Sequence, residues 1–139
     1  MEQAPVEVVR AAFEAFNEDG TEAFIEHIHP DVEFSTPADL ASEPDTYRGH
    51  DGVRRYWDSF FEIMEEIKVE PLTLQDWGGR LVVAEMLVTV RGRATGLQVS
   101  QRAHIVVTVA DGKALGLSFH PTLEEAEAAA GAGGGKPPA

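Results

Sequence analysis

The sequence predicts an α+β fold in which amphipathic helices lie across a mostly antiparallel sheet. Two observations support this prediction. In the first half of the chain the apolar side chains recur every three or four residues, which is the period of a helix buried on one face. From Ile67 onward they alternate, and turns containing glycine divide the alternating stretch. A chain of 139 residues is the size of one domain with its own hydrophobic core.

Two helices are predicted first. The first begins at Pro5, whose ring suits an initial helical turn, and ends near Gly20. Its apolar face consists of Val6, Val9, Phe13 and Phe16. The second is capped by Thr21 and terminated by Pro30. Its apolar face consists of Phe24, Ile25 and Ile28.

A short strand over 32–34, a polar loop over 37–44 and a third helix follow. Asp51 is the expected N-cap of this helix. Its apolar stripe is the widest in the chain and consists of Val53, Tyr56, Trp57, Phe60, Phe61 and Met64. Because such a stripe must be buried, we expect the helix to lie across the sheet and to help enclose a small apolar cavity.

The four alternating segments are 67–77, 80–91, 97–110 and 113–120. Asp111-Gly112 is typical of a two-residue hairpin turn, and the four segments are expected to pair in sequence as an antiparallel meander. Pro71 indicates that the first segment is an edge strand or carries a bulge. A helix is predicted over 123–130 and a mobile Gly/Pro-rich tail over 131–139, so that the domain covers 1–130.

Composition excludes several classes of protein. The formal net charge of −13 opposes binding to nucleic acid or to an anionic membrane. No stretch approaches the roughly 18 apolar residues of a membrane span, and the N-terminus lacks the features of a signal peptide. We therefore expect a cytoplasmic protein. The chain has no cysteine, which excludes disulfides and thiolate metal sites.

Three motifs together resemble the SnoaL-like branch of the NTF2-like superfamily. They are His-Pro-Asp-Val-Glu-Phe at 29–34, Tyr-Arg-Gly-His-Asp-Gly-Val at 47–53 and Asp-Gly-Lys at 111–113. The resemblance covers about residues 5–130 and implies a cone, in which a curved sheet wraps around three N-terminal helices and leaves a ligand cavity. It says little about activity, because similar proteins include polyketide cyclases, ketosteroid isomerases and proteins without assigned activity.

The resemblance allows the enzyme signatures to be tested. Phe13 and Phe34 stand where a ketosteroid isomerase has its oxyanion-binding tyrosine and its aspartate base, so isomerisation by that mechanism is not expected. The Asp-Arg-Asp relay of limonene epoxide hydrolase is also not evident, since Arg102 lacks an alternating aspartate. A cyclase-like reaction is left, in which one histidine or carboxylate in an apolar cavity transfers the proton.

His104 is the strongest candidate for that acid/base group, with Arg102 or His120 orienting the substrate. Each has a structural alternative: His104 as a buried strand residue, Arg102 in an ion pair with Glu85, and His120 at the surface. The direction of His104 is open. Its place in the family pattern points inward, whereas strand alternation puts the apolar set (Val99, Ala103, Ile105, Val107 and Val109) on the opposite face.

Phe34, Tyr47, Trp57 and Phe61 are the expected lining of the cavity, with burial in the core as the alternative for Phe34 and Phe61. No cofactor or metal is expected. The spacing of His27, His29 and Asp31 resembles a metal site, but His27 and His29 are placed at the end of the second helix, where they interact with the helix dipole. No glycine-rich phosphate-binding loop is present.

Three functions therefore stay open. The first is a cofactor-free cyclase or isomerase acting on a polyketide-like carbonyl compound; the second is a non-catalytic protein that binds a small hydrophobic molecule; the third is a dimerisation module. A homodimer is expected in each case. A sheet covered on one side would expose either Leu81, Val83 and Leu87 or Val82, Met86 and Val88 on the other.

Overall fold

The computed structural model describes residues 4–35 and 46–136. The elements in chain order are α1 (Pro5–Asp19), α2 (Thr21–Ile25), β1 (Ile28–Ser35), β2 (Thr46–Arg48), α3 (Gly49–Phe61), β3 (Met64–Asp76), β4 (Leu81–Gly92), β5 (Gln98–Ala110), β6 (Lys113–His120) and α4 (Leu123–Ala132). The polar loop predicted over 37–44 lies outside the described residues. Within the described ranges, no helix is long and apolar enough to cross a membrane.

The strands form one six-stranded sheet in the order β2-β1-β6-β5-β4-β3. Strands β3 to β6 pair in sequence and antiparallel, which confirms the predicted meander. The pairing of β1 with β6 is parallel and was not predicted, because no turn signal connects two segments so far apart in the chain. Helices α1, α2 and α3 pack on one face of the sheet, so the predicted α+β architecture is confirmed.

The two faces of the sheet have different partners. We call the face that packs on α1, α2 and α3 the inner face; it carries Ala84 and Met86 of β4 and Ile105 of β5. The outer face carries the intervening residues, such as Val83 and Val106. Both faces are therefore partly covered, and each strand buries alternate residues in a different layer.

Two boundaries near α2 and α3 differ from the prediction. Helix α2 ends at Ile25, and Pro30 lies inside β1 rather than at a helix end. The pairing of β1 with β6 is irregular between Ile28 and Glu33, and a residue without an N–H group is tolerated at such an irregularity. Helix α3 begins at Gly49, so Asp51 lies in the first turn instead of at the N-cap.

Aromatic rings from the three inner helices form the centre of the core. The ring centroid of Phe24 in α2 lies 5.3 Å from that of Phe13 and 5.8 Å from those of both Phe16 and Trp57. The rings are tilted or edge to face, the geometries that aromatic pairs favour. Because α2 has five residues, it is too short to be stable alone and depends on these contacts.

A side chain of α1 binds the edge of the sheet. The amide of Asn17 donates to the carbonyl oxygen of Val69 at 2.7 Å and accepts from its N–H at 2.8 Å. It thus takes the place of a neighbouring strand beside β3. The register of β3 shifts between Pro71 and Thr73, so the edge strand and the bulge predicted from Pro71 are both present.

Helix α4 covers one end of the outer face. Its Ala126 and Ala130 pack in a cluster with Trp77, Leu81, Val83 and Val106. The helix extends to Ala132, beyond the expected boundary at residue 130, and the backbone N–H of Lys136 donates to the carbonyl of Trp77 at 2.7 Å. The start of the predicted tail is therefore attached to the sheet; residues 137–139 lie outside the described ranges.

Candidate functional site

An apolar pocket lies between α3 and the inner face of the sheet. Its volume is about 170 Å³. It is lined by Tyr56, Trp57, Phe60, Met64, Ile67, Val69, Val88, Val90, Gln101, Ala103 and Phe119. Nearly all of these side chains are aliphatic or aromatic, so the pocket suits a molecule that is itself mostly apolar.

The pocket is closed at one end and open at the other. At the closed end, Tyr56, Trp57 and Val69 are at most 4% exposed. Toward the mouth, Met64 is half-buried and Gln101 is exposed. A molecule that enters past Gln101 therefore leaves solvent as it moves toward Trp57.

The polar groups of the lining are few. The indole Nε1 of Trp57 is buried and has no hydrogen-bond partner among the described residues. The other polar groups are the hydroxyl of Tyr56 and the amide of Gln101. In the described part of the chain, no carboxylate, imidazole or ammonium group lines the pocket. Among the lining residues, the hydroxyl of Tyr56 is therefore the side-chain group that can transfer a proton.

The four side chains that were expected to line a cavity lie in different parts of the structure. Of the four side chains proposed from the sequence, Trp57 lies at the pocket, while Phe34, Tyr47 and Phe61 are not among the lining residues. Phe34 and Tyr47 are buried behind Tyr56, each with its ring centroid 5.3 Å from that of Tyr56. Phe61 faces the ring of Phe16 at 6.3 Å. Phe34 and Tyr47 belong to the core, because the ring of Tyr56 separates them from the pocket. Phe61 is partly buried and packs against the core toward α1.

The strand residues that line the pocket were not predicted from the sequence. They occupy alternate positions, Ile67 and Val69 in β3, Val88 and Val90 in β4, and Gln101 and Ala103 in β5. Alternation groups these residues on common faces, and that signal was visible in the sequence. It does not tell which end of a face is covered by helices and which end borders a void.

The three expected catalytic side chains lie away from the pocket. His104 pairs with Glu85 of β4 and with His120 of β6, whereas the adjacent Ala103 and Ile105 face inward. Arg102 is two residues from His104 and shares its face. The inward direction implied by the family pattern is therefore wrong for His104, and the hydrophobic alternation of β5 predicted its direction correctly.

On the outer face, Arg102 and His104 both approach Glu85, and His120 contacts Ser118. Glu85 lies 3.7 Å from Arg102 and 3.9 Å from Nδ1 of His104, so the ion pair considered for Arg102 is present. Nε2 of His120 shares a hydrogen bond of 2.8 Å with the hydroxyl of Ser118. Burial lowers the pKa of His120, although the carboxylate of Glu125 acts in the opposite direction. Burial therefore favours the neutral form of the His120 ring.

The residues that resembled a metal site have other contacts. His29 lies in β1 and not at a helix end, so the helix-dipole explanation for it is wrong. Its Nδ1 accepts a hydrogen bond from the backbone N–H of Asp31 at 3.0 Å, and its Nε2 lies 3.4 Å from the carboxylate of Asp111. The contact with Asp111 connects β1 to the turn between β5 and β6.

The first turn of α3 joins this helix to the sheet. Gly49 has a φ of +70°, a conformation that residues with a side chain rarely adopt. Gly52 packs so closely that an added Cβ would lie 3.0 Å from the carbonyl carbon of Tyr47. Nε2 of His50 forms a hydrogen bond of 2.8 Å with the carbonyl of Ile28. The motif therefore positions α3, and with it Tyr56 and Trp57, over the inner face.

Solved structures of similar proteins show the same fold. TerC, crystallised with polyporic acid, is 21% identical, with a TM-score of 0.75 over 85% of this chain and 91% of its own. An NTF2-like protein from Burkholderia thailandensis is 22% identical, with a TM-score of 0.74 over 92% and 97% of the two chains. IdmH from Streptomyces antibioticus, provisionally assigned as a polyketide cyclase, is 19% identical, with a TM-score of 0.73 over 93% and 99%. These identities establish the NTF2-like fold and nothing finer.

A comparison with functionally curated proteins found no match. The sequence model of the SnoaL-like domain, in contrast, matches residues 9–116. This range runs from α1 through the first part of β6 and includes the helix and most of the strands that build the pocket. The chain therefore belongs to the SnoaL-like domain family.

Proposed function

We propose that the protein binds a small, mostly apolar molecule in the pocket between α3 and the sheet. The observation that carries the proposal is the lining, which is aliphatic and aromatic down to a closed end formed by Tyr56, Trp57 and Val69. Transfer of apolar surface from water into such a site is favourable by about 25 cal/mol per Å². TerC, a protein of the same fold, was crystallised with polyporic acid, which supports the binding of a small organic molecule by this fold.

The volume limits the size of the ligand. An apolar cavity of about 150 Å³ is large enough to bind benzene, and most sites for drug-sized molecules measure about 300 Å³ or more. A pocket of about 170 Å³ therefore suits one six-membered ring with a short substituent.

Binding without catalysis is the better supported function. The similarity to IdmH makes cofactor-free cyclase or isomerase chemistry the second candidate. Such chemistry needs an acid/base group at the ligand, and His104, Arg102 and His120 lie on the outer face. Their proposed catalytic role would require a rearrangement of the sheet.

Ethylbenzene is a suitable probe for the binding site. At about ten times its Kd it should stabilise the protein by about 1.4 kcal/mol, which corresponds to a rise in Tm of about 5 °C. Ala103→Phe should abolish this rise, because the new ring fills the pocket. Arg102→Phe is the matched control, since it adds the same ring at the adjacent position on the outer face. Equal ligand-induced shifts in both variants would contradict binding in this pocket.

We also propose a homodimer formed through the part of the outer face that α4 leaves uncovered. The sequence predicted a dimer because apolar side chains would be exposed on the outer face. Helix α4 covers two of them, Leu81 and Val83, so less apolar surface is left for a partner. The uncovered part includes Arg102 and Glu85, charges of both signs that a second copy can complement.

Light scattering at micromolar concentration tests the dimer. The expected mass is twice 15.1 kDa, and Arg102→Glu should shift it toward the monomer by leaving like charges on the face. Lys113→Glu is a control for the change in net charge, since Lys113 lies at the start of β6 away from Glu85. A mass near 15.1 kDa for the unmodified protein would disprove the proposal.

A further inference from the structure

We infer that the ligand carries an apolar chain, which leaves the pocket through its mouth and lies across the exposed side chain of Val99 in β5. The inference rests on the proposed function and adds a requirement about the chemical class of the ligand. The ligand then consists of a ring, which fills the volume of about 170 Å³, and a linear chain of several carbons, which binds outside that volume.

The register of the strands places Val99 directly beside the pocket. Val99 is paired with Val90 of β4 and lies two residues before Gln101, and both of these residues line the pocket. The pairing of β4 with β5 runs without a register shift, so Val99 shares the inner face with Gln101 and Ala103. Side chains of directly paired residues have Cβ atoms about 5 Å apart. A chain that touches Val90 at the mouth can therefore contact Val99 next.

The apolar surface outside the mouth is larger than one side chain. Val99 is 56% exposed, and Leu97 and Ile63 are 68% and 55% exposed. The last two meet at the end of β4, because the carbonyl of Leu97 accepts from the N–H of Gly92 and the carbonyl of Ile63 accepts from the N–H of Arg93, both at 3.0 Å. Single exposed apolar side chains are common, whereas a group of them indicates a binding surface.

The pocket opens toward this surface because β6 is shorter than β5. The pairing of the two strands ends where His120 lies opposite His104, so the first residues of β5 extend beyond the end of β6. Phe119, which lines the pocket from β6, lies at this end of the strand. The exposed surface continues the floor of the pocket on the same two strands, and this continuity assigns it to the ligand rather than to a second copy of the protein.

A series of phenylalkanols tests the inference. 2-Phenylethanol, 4-phenylbutanol and 6-phenylhexanol have the same ring and differ in the length of the chain, while the terminal hydroxyl stays in solvent. A methylene fully removed from water lowers Kd about fourfold, so a methylene covered on one side should lower it about twofold. We expect the Kd of 6-phenylhexanol, measured by isothermal titration calorimetry, to be about tenfold lower than that of 2-phenylethanol.

Two variants locate the chain. Val99→Asp places a hydrated carboxylate in its path, so the ratio of the Kd for 2-phenylethanol to that for 6-phenylhexanol should fall from about ten to about two. Ser100→Asp is the matched control, since it adds the same charge at the adjacent, exposed position on the outer face and should leave the ratio unchanged. Both positions are exposed, and circular dichroism verifies that both variants are folded.

The outcomes separate this inference from the proposed function. Equal Kd values for the three probes, or an unchanged ratio in Val99→Asp, would overturn the inference alone. A mass in light scattering that falls to that of the monomer in Val99→Asp and not in Ser100→Asp would show that a second copy covers Val99, which would also overturn it. Absence of binding by all three probes would overturn the proposed function as well.

Discussion

Replacing Phe24 by alanine is expected to lower the free energy of unfolding by about 3–5 kcal/mol, the usual cost of removing a buried phenyl ring. Phe24 is fully buried, and its ring contacts those of Phe13, Phe16, Phe34 and Trp57. These four rings belong to α1, β1 and α3, so Phe24 links α2 to three other elements. The cavity left behind cannot close without moving several elements at once.

The loss should be measured by denaturant unfolding followed by circular dichroism. Since domains of this size are stable by about 5–15 kcal/mol, the alanine variant can be close to unfolding, and Phe24→Leu extends the measurement to a smaller loss. Leu97→Ala is the control: Leu97 is 68% exposed, and its truncation should change stability by less than about 0.5 kcal/mol. Similar losses for Phe24→Ala and Leu97→Ala would show that the aromatic cluster does not hold α2 in place.

The second large effect is expected at Gly52. Alanine is favoured over glycine within a helix by about 1 kcal/mol, so Gly52→Ala would stabilise α3 if space were available. The added Cβ would lie 3.0 Å from the carbonyl carbon of Tyr47 and 3.4 Å from its Cα. Tyr47 cannot move away, because β2 pairs with β1 at Phe34 and the Tyr47 side chain is 1% exposed. The steric cost should therefore exceed the helix preference, and we expect a net loss of about 1–3 kcal/mol.

Gly131→Ala is the matched control for Gly52→Ala. Gly131 lies in α4, and a Cβ added there would meet no atom within 4 Å. This substitution should leave stability unchanged or raise it by up to about 1 kcal/mol. Opposite signs for the two glycines would identify close packing on Tyr47 as the cause. A gain in stability for Gly52→Ala would show that β2 yields and that α3 is less firmly seated than the contacts indicate.

Much of the fold could be predicted because its signals are local. The periods of the apolar residues identified the helices and strands, Asp111-Gly112 identified the last hairpin, and Pro71 identified the irregular edge strand. Each signal is contained within a few residues of the element it describes. Errors occurred where two local signals competed. Around Pro30, the expectation that proline ends a helix concealed the start of β1 at Ile28.

The candidate site was predicted less well than the fold. The wide aromatic stripe on α3 predicted a pocket, and Trp57 of this stripe is a lining residue, whereas Phe34 and Tyr47 lie in the core although they are aromatic like the lining residues. Whether an aromatic side chain fills the core or borders a void depends on the next layer of atoms. For Phe34 and Tyr47 that layer is the ring of Tyr56, which stands between them and the pocket.

The amino-acid sequence alone determined the secondary structure, the membership in the family and the division of β5 into two sets of residues with different polarity. The tertiary structure decided which set faces the pocket. It placed Ala103 toward α3 and His104 toward the outer face, added α4 to that face, and left Nε1 of Trp57 without a hydrogen-bond partner among residues 4–35 and 46–136. The physical reason is that periodicity is a property of neighbouring residues, whereas burial and hydrogen bonding depend on segments that meet only after folding.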